Sequence, residues 1–189
     1  MTEKRSRMSS DDRRDLVLAA ATSVFAEAGY HGTTTDTVAR AAGVSQPYVV
    51  RMFGTKENLF ITVLTRALDL VMQSFRDALA TRSPETGIET ALGDSYYVLA
   101  QDRDVLLCLM HAFTLGSHPV IGPCARDGFL SVFEFLRTDG GMSADEAQRF
   151  LADGMLINTV LGLRIPDNAG VNPCAAEVTD AVLGTETVA

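Results

Sequence analysis

Side chains able to bind nucleic acid are concentrated between residues 34 and 56. Gln46, Tyr48 and Arg51 fall on the exposed face of a predicted short helix. Gln and Arg carry paired hydrogen-bonding groups that match adenine and guanine edges, worth about 1–3 kcal/mol of discrimination each. These three residues are therefore candidate base readers, although Arg51 pairing only with a phosphate is an equally open interpretation.

Hydroxyl and ammonium groups surround the candidate base readers. Hydroxyls and helix N-termini commonly bind DNA phosphates, and the candidates are Thr34, Thr35, Ser45 and Lys56. The hydroxyls could also be helix N-caps, a role compatible with phosphate contact. Lys56 lies in the first turn of a predicted helix, where a cation opposes the helix dipole. A phosphate bound there would resolve that conflict.

These side chains need two short helices to position them. The stretch from Thr34 to Phe53 predicts one helix after the Thr34 N-cap and a second after Ser45, joined by a turn that begins at Gly43. Isolated helices of this length are marginal, so we expect them to pack as a helix-turn-helix whose second helix enters a DNA major groove. The predicted core residues, to which we assign no DNA contact, are Phe25, Val38, Ala39, Val44, Val49 and Phe53.

Composition and charge agree with a globular chain that has a local basic region. The 189 residues are 47% hydrophobic and carry a net charge of −8. Residues 1–66 carry a net charge of +2 and residues 67–189 a net charge of −10. The N-terminal arm, with Lys4, Arg5 and Arg7, is either a solvated tail or a DNA contact. No apolar run approaches the ~18 residues of a membrane span, and no signal-peptide segment is present, so we expect a cytoplasmic protein without a membrane partner.

No motif indicates a metal, a cofactor or catalysis. The three cysteines have no short CxxC spacing, which favours free thiols over disulfides or a zinc site. Cys108 and His111 lie three residues apart, but two metal ligands are too few. The chain has no GxSxG elbow, Gly-rich phosphate loop, HExxH motif or paired-carboxylate motif. We therefore expect a protein that is not an enzyme.

The whole chain predicts an all-α fold. We expect an N-terminal three-helix helix-turn-helix domain over residues 12–58 and a larger helical ligand-binding and dimerisation domain over residues 59–189. Apolar residues at helical spacing and capping signals support this interpretation. Outside the helix-turn-helix, helices are predicted over residues 12–28, 56–80, 84–100, 103–115, 125–137, 144–163 and, weakly, 175–183.

Residues across the first three helices resemble the DNA-binding domain of the TetR family of bacterial transcriptional regulators. The resemblance covers about residues 14–60, and the chain departs from it at Val50, where the family usually has tyrosine, and at Tyr48, often a small residue. It rests on Ala20-Ala21, Phe25, Gly29-Tyr30, Thr33-Thr34, Val38-Ala39, Ala42-Gly43-Val44-Ser45, Phe53 and Lys56-Glu57-Asn58-Leu59.

The resemblance implies a ligand-responsive regulator, most simply a repressor. It implies a homodimer that places two copies of the third helix in successive major grooves of a palindromic double-stranded operator. A small molecule bound by the C-terminal helices would change the spacing of the two DNA-binding domains and release the DNA. The alternative is a helical interaction or scaffold protein without DNA binding, which the weak basic charge and Val50 favour slightly.

Polar and aromatic residues within apolar helices are candidates for the effector pocket, although each could be ordinary core. We expect an apolar or aromatic effector. The pocket candidates are Phe75, Tyr96, Tyr97, Met110, His111, Phe113 and Thr114.

The predicted seventh and eighth helices carry apolar stripes that could form a four-helix bundle with a partner subunit. Gly154 and Gly162 are costly inside a helix, and close helix approach would explain them. The predicted interface residues are Phe129, Val132, Phe133, Leu136, Leu151, Met155, Thr159 and Gly162.

Overall fold

A computed structural model describes residues 9–184, which form helices and no strand. The all-α prediction is therefore confirmed for the described part of the chain. A short 3-10 helix, Ile165–Asn168, precedes the last α-helix. The α-helices are α1 (Ser10–Gly32), α2 (Thr35–Ala41), α3 (Gln46–Phe53), α4 (Lys56–Thr81), α5 (Ile88–Ala100), α6 (Arg103–Phe113), α7 (Ile121–Thr138), α8 (Ala144–Gly162) and α9 (Pro173–Leu183).

Local capping explains most of the helix starts. The N-cap residues Thr34, Thr55, Asp102 and Ser143 each accept a hydrogen bond from a backbone N–H in the first turn. Ser143 and Glu146 form a capping box at the start of α8. These side chains satisfy N–H groups that have no partner inside the helix.

The start of α7 differs from the prediction. The helix begins at Ile121, ahead of the predicted start at Ala125. Proline often marks a loop, but Pro123 lies in the first turn of α7, where its missing N–H would have no helical partner. His118 supplies the cap, because its Nδ1 accepts hydrogen bonds from Val120 N at 3.3 Å and from Ile121 N at 3.2 Å. α5 starts later than predicted, at Ile88.

One hydrophobic core runs from α1 to α8. In the N-terminal part, the rings of Phe25 and Phe60 meet edge to face at 4.8 Å. Farther along α4, the Phe75 ring is 6.0 Å from Phe135 of α7 and 5.9 Å from Phe150 of α8. α4 therefore passes from the core of the N-terminal helices into the core of the C-terminal helices.

Candidate nucleic-acid interface

The α2–turn–α3 unit is built on a small buried core. Val38 and Val49 are fully buried and Ala39 is nearly so. Gly43 has φ +65°, a conformation that L side chains rarely adopt, and it turns the chain between the helices. Val44 N donates to Ala39 O at 3.0 Å and closes the turn. With its inner face packed in this way, α3 presents the opposite face to solvent.

The three candidate base readers lie on α3. Gln46 and Arg51 are exposed and Tyr48 is half-buried. Gln46 Nε2 donates to Thr35 Oγ1 at 3.2 Å, which connects α3 to α2. The Arg51 guanidinium carbon lies 5.1 Å from the centre of the Tyr48 ring, a cation–π arrangement. The side chains are thus held by neighbours while their polar groups stay accessible to a DNA groove.

The candidate phosphate ligands with hydroxyl groups have different local roles. Thr34 caps α2, and its Oγ1 accepts from Thr37 N at 3.1 Å. Ser45 occupies the N-cap position of α3 but makes no side-chain cap hydrogen bond, contrary to its predicted capping role. The Ser45 hydroxyl is exposed and is not used to stabilise α3 in this way.

Lys56 has a partner within the protein. Its Nζ donates to the backbone carbonyl of Tyr30 at 3.0 Å and lies 4.3 Å from the centre of the Tyr30 ring. These contacts account for a cation in the first turn of α4 without a phosphate. Burial, followed by the hydrogen bond and charge of Glu57, raises the pKa of Tyr30 to about 12. The Tyr30 hydroxyl is therefore neutral near pH 7.

Arg14 is a further cation beside the α2–turn–α3 unit and was not among the predicted DNA-binding residues. Its guanidinium carbon lies 4.7 Å from the centre of the Phe53 ring, at the end of α3. The signal available in the sequence was the basic Arg13-Arg14 pair next to the apolar stripe of α1. Lys4, Arg5 and Arg7 lie outside the described residues.

A mainly apolar cavity of about 60 Å³ lies among α4, α5, α6, α7 and α8. That volume has room for a few water molecules. Three predicted pocket residues, Phe75, Tyr96 and Phe113, line it. The full lining is Leu68, Val71, Phe75, Tyr96, Leu109, Phe113, Phe129, Val132, Phe150, Leu151, Gly154, Met155 and Asn158.

The other pocket candidates, which include Tyr97, lie outside this lining. His111 Nε2 donates to Ala26 O at 3.2 Å, and the His111 ring lies 3.6 Å from the position that a Cβ on Gly29 would take. The Thr114 hydroxyl donates to the backbone carbonyl of the same histidine. Met110 Sδ lies 2.9 Å from the position of a Cβ on Gly162. His111 therefore connects α6 to α1 rather than facing this cavity.

The predicted dimer residues differ in how much side-chain surface they expose. Phe129, Val132, Leu151 and Met155 line the cavity, although Phe129 and Met155 are also 37% exposed at its outer wall, and Leu136 is fully buried within the subunit. Leu136 therefore has no side-chain surface to offer a partner. The remaining candidates in this set are half-buried (Phe133, Gly162) or exposed (Thr159).

Close approach within the subunit accounts for Gly162 but not for Gly154, whose Cβ would make only an ordinary van der Waals contact. A Cβ on Gly162 would meet Met110 of α6, and a Cβ on Gly154 would lie 3.7 Å from Tyr96 Cε1 of α5. Other apolar side chains on the outer faces of α7 and α8 are available to a partner. Leu130, which is not among the predicted interface residues, is 59% exposed, and Leu156 is 48% exposed.

The three cysteines are free thiols, and Cys108 is buried. Among the residues that the structure describes, no three His, Cys, Asp or Glu side chains are grouped so as to hold a metal ion. None of the helices within residues 9–184 combines the length and apolar character needed to cross a membrane.

Comparisons with known proteins identify relatives of both parts of the chain. Residues 17–63 match the sequence model of a family described as "Bacterial regulatory proteins, tetR family". The HTH-type transcriptional activator FasR of Mycolicibacterium smegmatis is 27% identical over 158 residues, 82% of this chain and 72% of FasR. The HTH-type transcriptional regulator RutR of Escherichia coli K12 is 38% identical over 82 residues, 42% of this chain and 38% of RutR.

A solved structure shares the fold over nearly the whole chain. A TetR-like transcriptional regulator from Rhodococcus sp. RHA1 superposes with a TM-score of 0.66 at 17% identity. The match covers 94% of this chain and 97% of that protein. This similarity extends the comparison from the helix-turn-helix to the helices that surround the cavity.

Proposed function

Because the chain belongs to the TetR family of transcriptional regulators and is a DNA-binding regulator rather than an enzyme, we propose that it binds a palindromic operator as a homodimer and that a small molecule controls this binding. The observation that carries the proposal is the exposed face of α3. Gln46 and Arg51 present amide and guanidinium groups there, above the buried Val49. We further propose that this regulator acts in the cytoplasm and consists of a DNA-binding domain over residues 12–58 and a regulatory domain over residues 59–189.

In the proposed complex α3 enters the major groove. Gln46, Tyr48 and Arg51 contact base edges, while Thr34, Thr35, Ser45 and Lys56 face phosphates at the groove edges. Lys56 reaches a phosphate only if it shares or leaves its contact with the Tyr30 carbonyl. Val50, which is 39% exposed on the same helix, offers an apolar contact to a thymine methyl group.

Two packing routes connect the proposed effector site to the proposed DNA-binding domain. α4 carries Lys56 at its start and the cavity residues Leu68, Val71 and Phe75 farther along. α6 carries Phe113 into the cavity lining, and its His111 is hydrogen-bonded to Ala26 of α1. A ligand that moves α4 or α6 would therefore change the position of α2 and α3.

The proposed homodimer uses the outer faces of α7 and α8. Leu130, Leu156 and Thr159 are exposed on these helices. Exposed apolar side chains on adjacent helices are suited to a four-helix bundle with a second copy. The buried Leu136 is omitted from this interface.

We propose repression, with release by the small molecule, as the direction of control. Activation is the second candidate, because FasR, the relative at 27% identity, is named a transcriptional activator. A promoter–reporter fusion measured with and without the regulator separates the two. Repression predicts higher reporter output when the regulator is deleted, and activation predicts lower output.

The DNA-binding proposal is tested by a gel-shift titration on the DNA upstream of the protein's own coding region. We expect salt-dependent binding, because phosphate contacts release counterions. Arg51→Ala and Gln46→Ala should each weaken binding by about 1–3 kcal/mol. Arg149→Ala, which removes an exposed arginine from α8, is the matched control and should leave binding unchanged. Absence of binding to any DNA at low salt would favour a scaffold role instead.

A further inference from the structure

The cavity contains one polar pair. The Tyr96 hydroxyl donates to Asn158 Oδ1 at 2.7 Å, joining α5 to α8. Asn158 is only 3% exposed. The other lining residues are aliphatic, aromatic, methionine or glycine. A polar amide in this setting fixes where a polar atom of a ligand can be placed.

The amide nitrogen of Asn158 is weakly satisfied. Its hydrogen-bond partner within residues 9–184 is Met155 Sδ, at 3.9 Å. A thioether sulfur is a weak acceptor, whereas the amide nitrogen carries two N–H donors. Tyr96 occupies the amide oxygen, which directs the nitrogen away from the hydroxyl. An oxygen acceptor on a ligand would satisfy this buried donor better than the sulfur does.

The lining also excludes charged ligands. None of the described residues that line the cavity is Lys, Arg, His, Asp or Glu. Burying an ion without a partner of opposite charge is strongly unfavourable. The aromatic lining, Phe75, Tyr96, Phe113, Phe129 and Phe150, favours an apolar and preferably aromatic body.

We propose that the cavity selects an uncharged, mainly apolar molecule with one carbonyl-type hydrogen-bond acceptor, and that Asn158 Nδ2 donates to that acceptor. This inference rests on the proposed function in taking the cavity as the effector site. Two features define this ligand class. One is the amide N–H donor of Asn158, and the other is the uncharged, largely aromatic lining of the cavity. Tyr96 is a positioning residue, because its hydroxyl holds the amide oxygen of Asn158.

The outer wall of the cavity provides room for entry. The Phe113 and Phe129 rings meet edge to face at 6.0 Å. Both rings and Met155 are more than one-third exposed, at 39%, 37% and 37%. The present volume of about 60 Å³ is smaller than a phenyl ketone, so these side chains must move outward on binding. Met155 is unbranched and adapts easily to a new shape.

Four probes on one phenyl scaffold test the proposal with the full-length protein. Acetophenone has the carbonyl acceptor, ethylbenzene lacks it, benzoate is an anion and benzylammonium is a cation. Isothermal titration calorimetry should show acetophenone binding about five- to tenfold more tightly than ethylbenzene, the range expected for one net hydrogen bond. Benzoate and benzylammonium should not bind at the same concentrations. Equal affinity for acetophenone and ethylbenzene, or no binding of acetophenone, overturns the proposal.

Asn158→Leu, made together with Tyr96→Phe so that no unpaired hydroxyl donor is left in the cavity, removes the amide donor and keeps side chains of similar size. Because a buried carbonyl without a donor is unfavourable, we expect acetophenone to bind no more tightly than ethylbenzene here, while ethylbenzene affinity is retained. A preference for acetophenone that survives in this variant overturns the role of Asn158. If the variant does not fold, the NMR chemical shift of the Asn158 side-chain amide in ¹⁵N-labelled wild-type protein tests the same contact. That chemical shift should change with acetophenone and not with ethylbenzene.

These measurements use the protein without DNA, so they do not depend on operator binding. Loss of all DNA binding in the gel-shift experiment would overturn the proposed regulator function and leave the ligand selectivity intact. Conversely, a protein that shifts DNA but shows no carbonyl preference would overturn only this inference.

Discussion

The ammonium group of Lys56, at the start of α4, donates to the backbone carbonyl of Tyr30 at 3.0 Å. The same nitrogen lies 4.3 Å from the centre of the Tyr30 ring. This contact joins the end of α1 to the start of α4, on either side of the α2–α3 unit. A cation at a helix start is unfavourable for the helix dipole, so the hydrogen bond and the ring contact offset a local cost.

Lys56→Met tests the strength of this contact. The substitution keeps most of the aliphatic chain and removes the charged donor, so we expect the free energy of unfolding to fall by about 1–2 kcal/mol. Urea denaturation measures the change. Arg66→Met is the control, because Arg66 pairs with Asp15 at the exposed surface and should change stability by less than about 0.5 kcal/mol. Equal losses for the two variants would contradict the assigned role of Lys56.

The hydroxyls of Thr34 and Ser45 allow capping to be separated from DNA contact. Thr34→Ala removes an N-cap hydrogen bond and should lower the free energy of unfolding by about 1 kcal/mol. Ser45→Ala removes no cap hydrogen bond and should leave stability nearly unchanged. If Ser45 contacts a phosphate, operator affinity should nevertheless fall in Ser45→Ala. Unchanged affinity in the gel-shift titration would remove Ser45 from the proposed interface.

Replacing two helical glycines, Gly93 and Gly122, with alanine should change the free energy of unfolding in opposite directions. A Cβ on Gly93 of α5 would meet no atom within 4 Å, so Gly93→Ala should stabilise the fold by about 0.5–1 kcal/mol. A Cβ on Gly122 of α7 would lie 2.3 Å from the backbone oxygen of Gly116. Backbone cannot move aside cheaply, and Gly122→Ala should cost about 1–3 kcal/mol. Thermal and urea unfolding measure both, and stabilisation by Gly122→Ala would contradict the packing described.

Cys108 should make stability fall at alkaline pH. Burial, reinforced by the charges of Asp104 and Asp102, raises the pKa of the thiol from 9.0 to about 12. Between these values the unfolded chain loses the thiol proton and the folded chain keeps it. The free energy of unfolding should therefore decrease as pH rises from about 9 towards 12, and this contribution is fully retained below pH 9.

Urea titrations from pH 8 to 11 measure this decrease. Cys108→Ala should reduce the slope, even if its stability at pH 8 is lower. Cys174→Ala, at an exposed thiol, is the control and should keep the wild-type slope. A slope that is identical in all three proteins would contradict the assignment.

Exposed apolar residues of α8 should be required for the proposed dimer. Leu156→Glu places a charge on a side chain that is 48% exposed and should convert the dimer to a monomer. Leu16→Glu alters a residue of α1 that is 42% exposed and should leave the dimer intact. Sedimentation equilibrium gives the mass. A dimer that persists in Leu156→Glu at wild-type affinity would exclude this face.

Local sequence was sufficient to predict the helices and the position of the candidate DNA-binding face. The N-caps at Thr34, Thr55, Asp102 and Ser143 follow from a side chain and backbone groups two or three residues away. The buried positions of α2 and α3 follow from helical spacing. Ser45 and the start of α7 were less predictable, because the cap geometry there depends on the fold around the residue.

Contacts between residues that are distant in the sequence could be identified only from the folded structure. The hydrogen bond from Lys56 to Tyr30 joins residues that are 26 positions apart in the sequence. The hydrogen bond from Tyr96 to Asn158 joins residues that are 62 positions apart. Periodicity indicates that a helix face is buried, but not which helix covers it. For that reason the sequence pattern predicted that Leu136 and Gly162 contact a partner subunit. In the structure Leu136 is buried within its own subunit, and Gly162 packs against Met110 of α6. The polar pair in the cavity exists only because α5 and α8 pack side by side.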